Sequence, residues 1–454
     1  MSLRKTKIVC TLGPATDSVT EVTDLVQAGM DVARLNFSHG TYNHHLKIIK
    51  SVRKVEKTSG KKIGIIQDLQ GPKIRIGEMP EKGIALKRGA TVKMTTRKLL
   101  GTNTVLPVQY KGFVKDIKKK HSILIDDGLI ELTAIRKTKD IVICKVKVGG
   151  IVKSHKGVNL PKTKVSTKSI TPKDTRDLEF GLKQNVAFVA LSFVRTAKDI
   201  KDLRKLITAK KSSAKIIAKI ETPEALDNLE SIVKEADGIM VARGDLGVEI
   251  PAHKVPIAQK RMIALANRYS KPVITATQVL QSMVLSPRPT RAEVSDAANA
   301  VFDHTDAIML SNETSTGHYP FKATTTLKKV THEVEQEIEK HKELQSHFSI
   351  EELKSELFGA SLQACKTAEK EKAKYLIVYS ETGEKAREIA KFRPTTELIV
   401  ITPNEKTAHE LTLSWGINRI FTKKMPEKNR EQQVIKFLQK NGTLGKKYKI
   451  VIAT

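Results

Sequence analysis

The sequence predicts an α/β chain built on a (β/α)8 TIM barrel, with an inserted β-barrel-like lid domain and a C-terminal α/β domain. Three observations lead there. Short β-branched runs alternate with longer amphipathic stretches through two blocks of the chain, a glycine-punctuated segment of different character separates those blocks, and further apolar runs follow a charged helix near the end.

Taken in order, barrel strands are read in KIVCTLG (7–13), DVARLNFS (31–38), KIGIIQDL (62–69), VAFVALSFV (186–194), AKIIAKIE (214–221), DGIMVARGD (237–245), KPVITATQ (271–278) and DAIMLSNE (306–313). Most are separated by helical stretches such as TAKDIKDLRKLITA, and strands alternating with helices close naturally into a barrel. The interruption contains GIALKRGATVKM and HSILIDDGLIEL, whose Asp-Asp-Gly is a hairpin signal. A charged helix, VTHEVEQEIEKHKEL, then leads into YLIVYS, ELIVITP, INRIFT and YKIVIAT. The expected domains are 1–71 with 170–345 for the barrel, 72–169 for the lid and 346–454 for the C-terminal unit.

With 454 residues and 39% hydrophobic content the chain can bury a large core, which excludes a disordered protein. No apolar run approaches a membrane span, and MSLRKTKIVC enters a strand without a signal-peptide core, so a cytoplasmic chain with no membrane partner is expected. Cys10, Cys144 and Cys365 are too far apart for a disulfide framework or a zinc site. Lys and Arg number 80 against 49 Asp and Glu, a net +31. That excess is scattered through KDIKKKH, RKTKD, TAKKSSAK and LGKKYK without the aromatic residues that stack bases, so it reads as a solvated surface rather than a specific nucleic-acid site.

Function is read from the strand ends, where barrel sites are built. The second strand ends in Arg34, Asn36, Ser38 and His39, the third in Asp68, the fourth in Ser192 and Arg195, the fifth in Lys219 and Glu221, the sixth in Arg243 and Asp245, the seventh in Thr277 and the eighth in Glu313. Lys219 and Glu221, two apart on an extended segment, leave the same face, and Asp245 is expected on the neighbouring strand about 5 Å away. Two carboxylates so placed suit one hard cation, Mg2+, with a structural Lys-Glu pair as the alternative. Gly244 opens a helical turn that an anion could approach, while Arg34 and Arg75 offer forked donors for phosphate oxygens. The Thr277 hydroxyl suits a carboxylate or a proton relay, with a bond to its own backbone as the bland alternative. No P-loop and no kinase HRD or DFG set is present, so the parts describe phosphoryl transfer built on a barrel rim.

With RLNFSHG, QDLQGPKIRIG, AKIETPEA, MVARGDLGVEIP, TATQVLQSM, SPRPTRAEVSD and IMLSNETSTGHYP in that order, the chain closely resembles the pyruvate kinase family along essentially its whole length. The resemblance implies a mobile lid, an effector domain, a homotetramer, and transfer of phosphoryl from phosphoenolpyruvate to ADP with Mg2+, or Mn2+ in its place. It implies that Lys219 stabilises the transition state and the enolate, Glu221 and Asp245 hold the metal, and Arg34 binds the phosphoryl group. The amides of Gly244 and Asp245 with Thr277 would hold the carboxylate, and the enolate would be protonated from the side of Thr277 through water. Asn36, His39, Arg75 and Lys173 match nucleotide-side positions, and an aspartate of IDDG would reach the nucleotide from the lid.

Similar enzymes hold a monovalent cation with residues matching Asn36, Ser38, Asp68 and the carbonyl of Leu69. Here Leu69, Gln70 and Lys73 follow the form resembling potassium-independent members, so K+ is expected not to be required: a tethered Lys73 ammonium near Asp68 takes its place. SETGEKA (380–386) resembles the phosphate loop of an effector site, with Ser380, Thr382 and Gly383 as its candidates, but Glu384 and Lys385 depart from the sugar-bisphosphate pattern, and similar chains continue past VIAT with strands that complete the pocket. Asn312 stands where glycine is usual. The rival readings are another Mg2+ barrel acting on phosphoenolpyruvate or pyruvate, such as an aldolase or lyase, and a non-catalytic basic RNA-binding protein.

Overall fold

The structure is a computed structural model, and it describes residues 4–161, 163–341, 359–445 and 448–453. The expected boundary at 345/346, the end of the charged helix beyond 341 and the final residue lie outside these residues.

Three strands open the chain, β1 (Lys7–Thr11), β2 (Val32–Asn36) and β3 (Gly64–Asp68). The inserted β region follows with β4 (Ile84–Leu86), β5 (Thr91–Thr95), β6 (Val105–Pro107), β7 (Ser122–Ile125), β8 (Ile130–Lys137), β9 (Ile141–Val148), β10 (Gly150–Val152) and β11 (Val158–Asn159). The chain then resumes with β12 (Phe188–Leu191), β13 (Lys215–Ile220), β14 (Gly238–Ala242), β15 (Val273–Ala276) and β16 (Ala307–Leu310). The last four are β17 (Tyr375–Tyr379), β18 (Glu397–Thr402), β19 (Ile417–Thr422) and β20 (Ile450–Ala453). Strands β1 to β3 and β12 to β16 pair in parallel and close into a barrel in the order β1-β16-β15-β14-β13-β12-β3-β2.

Side-chain alternation sorts the barrel into two cores. Ile8, Cys10, Ile65, Ile216, Ala218, Ile239 and Val241 point outward against the helices. Val9, Val32, Ile66, Ala190, Ile217, Met240 and Met309 fill the lumen. The helices present matching apolar stripes and are stopped by ordinary caps; Ser18 and Glu21, for example, form a reciprocal capping box at the start of helix Val19–Ala28. At the N-terminal end of the barrel the lumen is closed by Leu413 of the C-terminal unit, whose sheet runs β19-β18-β17-β20, all parallel, with an apolar cluster on each face.

The inserted region forms a curled six-stranded sheet, β11-β7-β8-β9-β5-β6, with a β4–β10 pair, around its own core of Ile76, Leu106, Phe113, Ile123, Leu132 and Val142. The Asp-Asp-Gly signal is realised: β7 and β8 pair antiparallel from Ile125 opposite Ile130, with Asp126, Asp127 and Gly128 all at positive φ in the turn. Both junctions with the barrel are tied to one residue. Asp174 caps helix Pro172–Lys183 by accepting from the Thr171 amide at 2.8 Å through one oxygen, and accepts from the Gly71 amide at 3.1 Å through the other. Gly71 has φ +69° and a Cβ there would lie 3.0 Å from Ser192, so the exit from β3 accepts no larger residue without strain.

Candidate active site

The lumen parity of each strand runs through to its C-terminal end, and there the chemistry changes. Above Val9 stands Thr11, above Val32 stands Arg34, above Ile66 stands Asp68, above Ala190 stands Ser192, and above Ile217 stand Lys219 and then Glu221. These residues form one connected polar floor. Lys219 Nζ donates to Ser192 Oγ at 2.7 Å and lies 3.2 Å from Asp68 Oδ1 and 3.0 Å from Glu221 Oε1. Ser192 Oγ in turn donates to the Leu69 carbonyl at 2.7 Å. Arg34 Nε donates to Asp68 Oδ2 at 2.8 Å and its Nη1 to Thr11 Oγ1 at 3.0 Å.

Electrostatics divides the carboxylates. Burial alone would raise Asp68, but Lys219 and Arg34 outweigh it and hold its carboxyl below the usual range. Burial would lower Lys219, yet Asp68 and Glu221 hold it above the ordinary ammonium value, so it stays charged. Glu221 goes the other way. Burial raises it, Lys219 offsets only part, and the Asp245 carboxylate adds to the rise. Its Oε2 accepts from the Phe193 amide at 2.6 Å, while Oε1 is buried without a hydrogen bond, because the Lys219 ammonium is close but not aligned. A buried carboxylate with too little positive charge around it and an unused oxygen fits a hard cation shared with Asp245.

Asp245, expected on the strand next to Lys219, lies instead in the first turn of the short helix Arg243–Glu249, which begins directly after β14 and contains the helical turn expected at Gly244. A neighbouring carboxylate is preserved, but its route there is a strand-to-helix turn. In that turn the Gly244 amide donates to Thr277 Oγ1 at 2.7 Å, and Thr277 Oγ1 donates to the Ala276 carbonyl at 2.6 Å, the local backbone bond weighed above as the bland alternative. Thr277 is held at φ 67°, a costly conformation for a β-branched residue. What holds it is Arg243, which the sequence reading noted but gave no role. Its Nη2 donates to the Thr277 carbonyl at 2.9 Å and its Nη1 forks onto Asp296 at 2.6 and 2.7 Å.

Ser192, between Lys219 and the Leu69 carbonyl, has a positioning role. Ser192→Ala removes the acceptor that aims Lys219 and is expected to lower kcat about tenfold with the far-UV spectrum unchanged, as loss of one hydrogen bond to a charged group implies. A variant with wild-type kcat would show that Asp68 and Glu221 orient the ammonium alone. Glu313, fully buried, accepts from the Leu280 and Ser311 amides at 3.0 and 2.8 Å and braces two rim loops. Asn312 has no positive φ, so its side chain needs no special backbone.

At the rim toward the insert, Asn36 Oδ1 accepts from the Ser38 amide at 3.1 Å, and Lys173 Nζ donates to the Phe37 carbonyl and to Asp177, both at 2.6 Å. Arg75 Nη1 donates to the His155 carbonyl at 2.9 Å. Burial, then the charges of Arg75, Lys73, Arg34 and Lys173, hold His39 below its ordinary value, so cations surround it. Lys73 was expected beside Asp68; instead its Nζ lies 3.9 Å from Asp245 Oδ1, because Arg34 and Lys219 already occupy the Asp68 oxygens. In the insert, Asp126 pairs with Lys156 at 2.9 Å. In the C-terminal unit the Gly383 amide donates to Ser380 Oγ at 3.0 Å, the Glu384 amide to Thr382 Oγ1 at 3.4 Å, and Gly383 sits at φ +78° before helix Glu384–Lys391.

Barrel, curled insert and polar lumen floor together define a (β/α)8-barrel enzyme whose chemistry sits at the C-terminal mouth of the barrel. Residues 3–324 match the model of the pyruvate kinase barrel domain, and residues 360–454 that of the pyruvate kinase alpha/beta domain. The chain is 43% identical over 420 residues to a pyruvate kinase of Staphylococcus epidermidis, covering 92% of this chain and 72% of that one, and 42% identical over 435 residues to a pyruvate kinase of Geobacillus stearothermophilus, covering 95% and 73%. A crystal structure of a pyruvate kinase from Cryptosporidium parvum superposes with a TM-score of 0.93 at 36% identity, covering 99% of this chain and 94% of that one. The chain belongs to the pyruvate kinase family.

Proposed function

We propose that the enzyme transfers the phosphoryl group of phosphoenolpyruvate to ADP, giving pyruvate and ATP, with Mg2+ or Mn2+ held by Glu221 and Asp245. The observation that carries this is the charged, largely buried Lys219, aimed by Ser192 and standing beside an under-neutralised Glu221. Glu221 and Asp245 would hold the metal ion, which when bound would supply positive charge to substrate oxygens. Lys219 donates to the oxygens that gain charge as the phosphorus–oxygen bond to the enol breaks and the bond to ADP forms, and it stabilises the enolate left behind. Arg34, fixed by Asp68 and Thr11, presents the rest of its guanidinium to the phosphoryl group. The Gly244 and Asp245 amides and the Thr277 hydroxyl hold the carboxylate, and a proton reaches the enolate carbon from the Thr277 side through water.

The nucleotide lies against Asn36, His39, Arg75 and Lys173, where cations cluster around His39. The insert, residues 72–169, acts as a lid on the barrel of 1–71 and 170–345, with 346–454 as the effector-type domain carrying Ser380, Thr382 and Gly383 as its phosphate loop, and the subunits assemble as a homotetramer. The charge that a monovalent cation would bring to Asn36, Ser38, Asp68 and the Leu69 carbonyl is supplied instead by Lys73 from beside Asp245, so turnover proceeds without K+. Support for this is an ammonium tethered at the junction of barrel and insert and within reach of the metal carboxylate Asp245. The decisive test is a steady-state assay of pyruvate formation with Mg2+ and ADP. Pyruvate appearing from phosphoenolpyruvate at the same rate without ADP would overturn the reading.

A further inference from the structure

Helix Arg243–Glu249 carries Asp245 in its first turn and is met by the insert at its other end. Glu249 Oε1 accepts from Asn159 Nδ2 of β11 at 2.8 Å, and the same carboxylate accepts from the Leu160 amide. At the preceding residue, Val248 lies under Gly128 in the turn between β7 and β8. Two separate parts of the insert thus rest on two consecutive residues of one short helix. Beside this contact a cavity of about 470 Å³ separates Ile74, Val158 and Leu160 of the insert from Phe193 and Pro223 of the barrel, so apolar packing does not fill the space around Glu249. In such surroundings the carboxylate and its two donors supply direction that apolar packing does not.

We propose that Glu249 is a positioning residue, a latch that fixes the closed insert to the helix bearing Asp245, so that closure of the lid and placement of Asp245 and the Gly244 amide are one event. This rests on the reading of Asp245 as a metal carboxylate. A rigid helix of this length cannot shift at Glu249 without moving Asp245, so a donor from the insert at one end orders the site at the other.

The test exchanges the partners. Burial pushes the Glu249 carboxyl up to about 7, so the test is run at about pH 8.5, where it is ionised. There Asn159→Asp sets two carboxylates face to face and is expected to lower kcat about tenfold and to speed amide hydrogen exchange at residues 73–76 and 158–160 several-fold, the size expected for a lost charge-assisted hydrogen bond. The double variant Asn159→Asp with Glu249→Gln restores an amide–carboxylate pair with its polarity reversed and is expected to recover most of the rate and the protection. Asn159→Leu, which loses the donor without adding charge, gives an intermediate effect if Asn159→Asp folds poorly. Exchange is measured without metal or substrate, so it judges the latch even if the assigned reaction is wrong. Unchanged exchange in both single variants overturns the latch. Altered exchange with unchanged kcat overturns its coupling to the site, and a double variant no better than Asn159→Asp reduces the contact to packing.

Discussion

Lys219→Met is expected to lower kcat by about 10²–10³-fold, the cost of removing one preorganised donor from a site where charge develops. The substitution keeps the length of the side chain and removes only its charge and donors, so the barrel should remain folded. Asp68 retains Arg34 as a partner, but Glu221 loses the one cation that opposes its burial. With a competing ammonium gone from 3.0 Å, the carboxylate is expected to bind Mg2+ no more weakly than before. Rapid-quench or steady-state rates at saturating Mg2+, with metal affinity measured by titration calorimetry, check both halves. A loss smaller than tenfold would remove Lys219 from the chemical step. A loss explained wholly by weaker metal binding would reduce it to a structural partner of Glu221.

On the proposal that Lys73 supplies the charge of a monovalent cation, Lys73→Glu is expected to make turnover depend on added K+. The unmodified enzyme should turn over equally in potassium and tetramethylammonium salts, because its cation is covalently attached. In the variant the charge at the junction of barrel and insert is reversed within reach of Asp245, and turnover without K+ should fall roughly 10²-fold, as for loss of one electrostatic contributor to the site. Added K+ should restore part of it at the position of Asn36, Ser38, Asp68 and the Leu69 carbonyl. Strong dependence of the unmodified enzyme on K+ or NH4+ would refute the role assigned to Lys73.

Most of the lumen floor was legible because alternation carries it. Once Ile217 is known to face the lumen, so must Lys219 and Glu221, and the same reasoning places Arg34 over Val32 and Asp68 over Ile66. The hairpin at Asp126–Gly128 was legible because its residues tolerate positive φ. Asp245 shows where that reasoning stops. The helical turn at Gly244 was legible, but not that the strand ends at Ala242 and puts Asp245 inside that turn, nor that Thr277 takes the Gly244 amide from across the rim.

The partners of Lys73, Arg243, Asp174 and Glu249 were not legible at all, since each meets a residue far away in the chain: Asp245, Asp296, Gly71 and Asn159. Their residue types announce a need for an opposite charge or a donor, and no local pattern says which of many will supply it. Periodicity and polarity are local properties, so the order of elements and the facing of each strand follow from them. Which side chain satisfies which buried charge depends on the closure of the barrel and the seating of the insert, where burial makes an unmatched group costly and leaves one arrangement that pairs them.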